Sequence, residues 1–223
     1  MNTNTTSVWR KKLKELEIVV VIPTYNNGKT LAAVIEEVCR YADDIIVVND
    51  GSTDDTANIL EQYPAIRTIT HPVNKGKGTA LKHGLSQAKK EGFRYAITID
   101  SDGQHFASDI PCFIEAIEKE PDTLLVGARN LASDNMPGKN TFANKFSNFW
   151  FRLETGLKLE DTQSGYRLYP LRKMDVQSCW YTAKYEFELE AIVFAAWGDV
   201  VVKNIPIHVY LSLIHISEPT RHS

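Results

Sequence analysis

A mainly parallel, doubly wound α/β sheet with helices on both faces is the architecture this chain predicts. Three observations predict it. Short β-branched runs alternate with longer amphipathic ones along the first 130 positions. The runs VVVI and IIVV are apolar throughout, as strands covered on both faces must be. The segments that follow the runs are polar, acidic or Gly-rich, and sheets of this kind bind ligands at the carboxyl ends of their strands.

Residues 1–17, MNTNTTSVWRKKLKELE, are polar and charged without an apolar leader segment and read as a lead into the domain. Strands are expected at Ile18–Ile22, Ile45–Asn49, Ile66–Thr70, Tyr95–Ile99 and Thr123–Gly127. Between them, helices are expected at Lys29–Tyr41, Thr53–Gln62, Gly78–Glu91 and Ser108–Lys119. In the first of these Leu31, Val34, Ile35, Val38 and Cys39 recur at helical spacing. Beyond residue 130, Lys139–Thr155 reads as a helix with Phe142, Phe146, Phe149 and Leu153 on one stripe. Asp161–Arg167 reads as a loop, Glu186–Trp197 as a helix and Val200–Val209 as a strand. One catalytic domain over 18–210 is therefore expected. The last segment, LSLIHISEPTRHS, has no period and resembles the translation of a sequencing-adapter fragment, so 211–223 is expected to be a non-native or disordered tail.

Composition narrows the class. Hydrophobic residues make up 43% and charged residues 24%, with a formal net charge of −3, so nothing favours nucleic acid as a partner. Cys39, Cys112 and Cys179 have neither zinc spacing nor a disulfide framework and read as buried thiols of a reducing compartment. No apolar run reaches the length of a membrane span. A cytoplasmic protein is expected. Lys139, Lys145 and Arg152 among the aromatic stripe leave room for peripheral contact with the inner face of the cytoplasmic membrane.

The chemistry gathers where strands end. Asp100-Ser101-Asp102 follows the fourth strand, and alternating carboxylates in an extended loop can hold a hard cation such as Mg2+ or Mn2+. Thirteen aspartates in 223 positions give roughly 0.75 such pairs by chance, so the pattern needs its context. Asp50, after the second strand, can accept from a base N–H or a ribose hydroxyl, while Ser52 or Thr53 caps the next helix. Pro23-Thr24-Tyr25-Asn26 offers a ring for stacking on a nucleobase, or only a turn. In Asn74-Lys75-Gly76-Lys77-Gly78, glycines admit close backbone approach and a lysine offers charge to a diphosphate. There is no P-loop and no GxGxxG after the first strand, and no His or Cys pairs with a base for covalent catalysis.

VVVIPTYNN, VVNDGSTDDT, NKGKGTALKHG, ITIDSDGQH and DTQSGYRLY together resemble glycosyltransferase family 2, over about Ile18 to Val209. The resemblance is to its dolichyl-phosphate mannosyltransferase and polyprenyl-phosphate glycosyltransferase branch. It implies a GT-A fold and inverting transfer from a UDP- or GDP-sugar. It implies that Pro23, Tyr25, Asn26 and Asp50 line the nucleotide pocket, with Lys77, Gly78, Asp100 and Ser101 completing the donor site. Asp100, Asp102 and Gln104 would hold the metal, Arg129 would contact a phosphate, and Ser164, Gly165 and Arg167 would lie near the acceptor. Asp161 and Glu186 are the candidate bases beside Asp102. The base motif of polymerising relatives is not evident, which favours polyprenyl phosphate over a glycan hydroxyl as acceptor, because phosphate is already ionised near pH 7. A nucleotidyltransferase is disfavoured, since PTYNNGKT stands where its Gly-rich basic signature belongs, and a non-catalytic nucleotide-binding module is the remaining alternative.

Overall fold

The computed structural model describes residues 3–129, 159, 161–174 and 186–208. The helix expected over Lys139–Thr155, together with Cys179 and the tail from 211, lies outside the described residues.

The run Ile18 to Ile22 has no polar side to show to water, and the fold gives it none. Strand β1 (Ile18–Thr24) runs between β2 (Ile45–Asn49) and β4 (Tyr95–Thr98), parallel to both. Successive side chains leave a strand on opposite faces. Ile18, Val20 and Ile22 join a core with Leu31, Ile35 and Val38 of α2 (Gly28–Val38) and Phe113 and Ile114 of α5 (Ile110–Lys119). Val19 and Val21 join another with Leu81 and Leu85 of α4 (Lys77–Lys90) and Phe187, Ala191 and Ile192 of α6 (Glu186–Trp197). Each fully buried aliphatic side chain contributes about 1.5–3 kcal/mol, which is why unbroken apolar runs specify this two-sided sheet.

The sheet has seven strands in the order β3-β2-β1-β4-β6-β5-β7, with β3 at Arg67–Thr70, β5 at Leu124–Arg129, β6 at Arg167–Pro170 and β7 at Val202–Ile207. All pairings are parallel except those of β6, which runs antiparallel to both neighbours. The chain steps from β1 outward to β2 and β3, then returns across β1 to β4, so a crevice opens at the carboxyl ends of β1, β2 and β4. Pro23 sits inside β1 without breaking it. Its register partner is Val48, while the β1–β4 ladder ends at Val21 and Thr98, so its missing N–H falls where no strand needs a donor.

Three elements differ from the sequence reading. The polar lead contains a helix, α1 (Thr3–Glu15), whose Leu13 is buried and whose Trp9 packs against the core. Lys12 pairs with Glu118 of α5 at 2.6 Å and Arg10 with Asp43 at 2.9 Å, so the charges lie outward over an apolar seam. Helix α3 (Thr56–Glu61) starts three residues later than expected, and neither Ser52 nor Thr53 caps it; the Thr56 N–H donates to Asp54 Oδ1 at 3.1 Å. The loop expected through Arg167 turns into β6 at that residue. Cys39 and Cys112 are free, half-buried thiols whose pKa values burial pushes up. Among the described residues no helix is long and apolar enough to cross a membrane.

Helix α4 comes unusually close to the sheet at Gly84, where a Cβ would stand 2.5 Å from Val21 Cγ1 and 3.1 Å from Val48 Cγ2. Gly84→Ala, which in an open helix would stabilise by about 1 kcal/mol, is expected to destabilise by about 1–3 kcal/mol through overpacking. Urea denaturation of the two proteins reads that sign directly.

Candidate active site

The carboxyl ends of β1, β2 and β4 surround a cleft of about 680 Å³. Pro23, Thr24, Tyr25 and Asn27 line it from the β1 loop, Asp50 from the β2 loop, Asn74, Gly76 and Lys77 from the start of α4, and Asp100, Ser101 and Asp102 from the β4 loop. Seven of the site residues read from sequence, Pro23, Tyr25, Asp50, Lys77, Asp100, Ser101 and Asp102, thus share one space. Tyr25 is exposed at its mouth, with its ring free to stack. Ser101 is buried: its hydroxyl accepts from Asn27 Nδ2 at 2.8 Å and its carbonyl from Thr30 Oγ1 at 2.6 Å, which pins the β4 loop to α2.

Asp50 is almost wholly buried, and its carboxylate is an organiser of the next loop. Oδ1 accepts from the Lys75 N–H at 2.9 Å and Oδ2 from the Gly76 N–H at 2.8 Å, while His71 Nδ1 lies 2.6 Å from Oδ1. His71 Nε2 is in turn 2.7 Å from His83 Nδ1. With a proton on His71 Nδ1 facing the carboxylate, Nε2 is the acceptor and His83 Nδ1–H the donor.

The deepest part of the cleft carries a charge cluster that the sequence reading only half found. Lys77 Nζ lies 2.8 Å and 2.9 Å from the two oxygens of Asp100 and 3.0 Å from Glu188 Oε1 of α6. Burial pushes the Lys77 pKa down, but the Asp100 and Glu188 carboxylates more than reverse this, so it stays raised and the ammonium charged. Gly165 forms the wall beside it. A Cβ there would stand 2.6 Å from Asp100 Oδ2 and 2.9 Å from both Glu188 Oε1 and Lys77 Nζ. Arg167, expected near the acceptor, is instead a fully buried brace. Its Nε donates to Ser164 O at 2.6 Å, Nη2 to Thr162 O at 2.9 Å and Nη1 to Glu188 O, which locks the Gly165 loop to the start of α6. Thr98 Oγ1 holds the Gly165 carbonyl at 2.7 Å from the β4 side.

Other expected residues stand elsewhere. Asn26 does not line the cleft; its Oδ1 accepts the Thr53 N–H at 2.8 Å, tying the β1 loop to the β2 loop, and its φ of 53° places it in the left-handed region. Gly78 is buried within the first turn of α4. The Gln104 backbone N–H donates to Asp102 Oδ1 at 2.9 Å, and its side chain lies exposed outside the lining. Asp161 is wholly buried, with Oδ1 accepting the Gln163 N–H at 2.9 Å, so it is a turn-former within its loop. Arg129 closes β5 and Glu186 opens α6; their side chains are outside the described residues. Sequence reasoning passed over Glu188 for Glu186. The available signal was phase: Glu188 falls on the stripe with Phe187, Ala191, Ile192 and Ala195, and a carboxylate on an apolar face needs a partner.

With this geometry in hand, comparison with known proteins is decisive. The description "Glycosyl transferase family 2" matches residues 19–176. The chain belongs to that family. It is a glycosyltransferase with a GT-A fold. It is similar to the UDP-N-acetylglucosamine–dolichyl-phosphate N-acetylglucosaminyltransferase of Methanococcus voltae, 31% identical over 211 residues that cover 85% of this chain and 84% of the relative. It is also similar to the polyprenol monophosphomannose synthase of Mycolicibacterium smegmatis, at 27% identity over 85% of this chain and 76% of that one. In fold it matches glucosyl-3-phosphoglycerate synthase of Mycobacterium tuberculosis with UDP, at a TM-score of 0.69 and 20% identity over 93% of this chain and 76% of that one. The same synthase, solved with Mn2+, UDP and glucosyl-3-phosphoglycerate, matches at 0.67, with 20% identity over 93% of this chain and 77% of that one. These relatives place the glycosyltransferase in the polyprenyl-phosphate branch of family 2.

Two outcomes are expected. Gly165→Ala should lower kcat/KM by about ten-fold or more by displacing the Asp100, Lys77 and Glu188 tips, while steady-state kinetics and thermal melts together show the fold retained. Acid should loosen the histidine chain. Burial, then the neighbouring His71 and Lys75, push the His83 pKa below its ordinary 6.5, with Asp50 opposing. The unfolded chain therefore binds that proton more readily, so the stability held above about pH 6.5 is lost as pH falls through the depressed value. Melting temperatures from pH 7.5 to 5.5 should fall further for wild type than for His83→Gln.

Proposed function

We propose that this glycosyltransferase moves a sugar, with inversion, from a UDP- or GDP-sugar to polyprenyl phosphate, assisted by Mg2+ or Mn2+ held at Asp100 and Asp102. The observation that carries the reading is the shared cleft: Tyr25, Asp50, the first turn of α4 and both carboxylates of the Asp100-Ser101-Asp102 loop face one volume. A base stacked on Tyr25 and met by Asp50 would send its diphosphate toward Gly76, Lys77 and the N-terminus of α4, where helix polarity favours anions. The catalytic unit in this reading is 18–210, with α1 bracing it from outside.

The donor set suits a hard cation. Asp100 and Asp102 offer carboxylate oxygens at the cleft, and the cluster already attracts one cation, the Lys77 ammonium. Among the described residues no group of three or more His, Cys, Asp or Glu side chains is disposed to hold a metal alone, so the remaining ligands would be donor phosphates and water. When bound, the ion neutralises charge developing on the leaving diphosphate.

Three carboxylates among the described residues are already committed. Asp161 is buried in its own turn, Glu188 is committed to Lys77, and Asp50 to the Lys75–Gly76 loop. With these three carboxylates committed, the described part of the site suits a nucleophile that needs no proton removed. A phosphate monoester oxygen attacks the anomeric carbon, the bond from that carbon to the donor phosphate breaks, and the nucleoside diphosphate leaves with the electron pair. A family 2 relative that acts on dolichyl phosphate, by its name, supports the same class of acceptor.

The test is release of UDP or GDP from a panel of nucleotide sugars, with and without polyprenyl phosphate. Release should require the lipid phosphate and a divalent ion, and Asp102→Ala should lower it by roughly a hundred-fold or more with the melt unchanged. Full turnover in strong chelator, or undiminished turnover by Asp102→Ala, would sink the reading.

A further inference from the structure

Resting on the functional reading above, we propose that Lys77 is a tethered counter-ion that occupies the cation position at Asp100 until a nucleoside diphosphate draws it away, so that metal and donor load together. Lys77 contacts both oxygens of Asp100, so a cation that would take both of those oxygens meets the ammonium already in place. The second contact, to Glu188 Oε1 at 3.0 Å, comes from a side chain only 9% exposed whose backbone is locked by Arg167. Gly165 walls in the ammonium so closely that even a methyl group would collide with it. Lys77 is thus held by a fixed anchor, not by a mobile surface partner. Its backbone opens α4 in the loop whose Lys75 and Gly76 N–H groups Asp50 fixes, so only the side chain is free to swing.

The electrostatics then couple two ligands. A divalent ion arriving alone must separate Lys77 from Asp100 and leave two like charges side by side. A diphosphate arriving with the ion gives Lys77 an anionic partner in the same cleft, which offsets the repulsion between ammonium and metal. Metal affinity is therefore low without nucleotide and rises with it, and Lys77 sets the size of that rise. Such reciprocal coupling typically reaches about 5- to 150-fold.

Mn2+ binding to the full chain, read from the electron paramagnetic resonance signal of the free ion, tests this with no nucleotide, with UDP and with GDP. Lys77→Met should bind Mn2+ alone about ten-fold or more tightly than wild type, and its gain on adding nucleotide should shrink by a similar factor. Lys75→Met, which removes the same charge from the neighbouring exposed lysine, should match wild type. If Lys77→Met does not fold by circular dichroism, Lys77→Gln is read in its place. Mn2+ binding by the Lys77 variant no tighter than wild type, or an equal effect from Lys75→Met, overturns the inference. Wild type that gains no Mn2+ affinity from either nucleotide overturns the functional reading and this inference with it, so the wild-type titration alone separates the two failures.

Discussion

One partly buried ammonium set between two carboxylates joins three distant parts of the molecule at the candidate active site. Lys77 belongs to α4, Asp100 to the exit of β4, and Glu188 to α6, which the chain reaches some ninety residues later. Removing one member of such a partly buried cluster leaves a charge without its partner. The cluster is therefore held from several sides: Thr98 fixes the Gly165 carbonyl, and Arg167 fixes Ser164, Thr162 and the backbone of Glu188. The β6 strand runs antiparallel between β4 and β5, which brings the Gly165 loop back to the same sheet end as the Asp100 loop.

Around that cluster the loops form a continuous rim in the order of the strands. The β3 exit meets the β2 exit through His71 and Asp50. The β2 exit meets the β1 exit through Thr53 and Asn26, Ser52 and the Asn26 N–H, and Asp54 and the Gly28 N–H. Thr56 and Gly28 hold the Asp54 pKa below the usual carboxylate range, against the pull of burial, so this latch stays ionised. The β1 exit meets the β4 exit through Asn27 and Ser101. These side chains are short and already hydrogen-bonded, so a ligand meets a cleft that needs little reordering. The longer groups, Tyr25 and Lys77, are the ones whose geometry a ligand can change.

How much of this could be read from residues depended on whether a residue's partners were near in sequence. Strands β1, β2 and β4 were legible because an unbroken apolar run has one stable home, the middle of a covered sheet. The Asp100–Asp102 loop was legible from its position after such a run. Strand β6 was not, because Gly165 and Pro170 bracket it with turn chemistry and its antiparallel partners lie far away in sequence. Asn26 was expected in the pocket from the family resemblance alone; its actual partner, Thr53, is set by the parallel register of β1 and β2. Arg167 was expected near the acceptor from the same resemblance, and its bond to Glu188 O on α6, far along the chain, is what the sequence did not reveal. Helix α1 was masked by its own lysines, which cover the seam that Leu13 and Trp9 make.

The charge balance of the cleft gives the strongest physical case for the proposed chemistry. A space lined by Asp50, Asp100 and Asp102, with Glu188 beneath, is a poor receptor for a diphosphate unless its negative charge is already spoken for. Two of these charges are: Asp50 is matched by two backbone N–H groups and a histidine, and Glu188 by Lys77. Asp100 shares that one lysine, and among the described residues Asp102 has only a backbone N–H from Gln104 within its own loop. The excess therefore sits on the two carboxylates that stand beside the path from Tyr25 to the start of α4. In the proposed chemistry a divalent cation would turn this excess from a barrier into an attachment for phosphate.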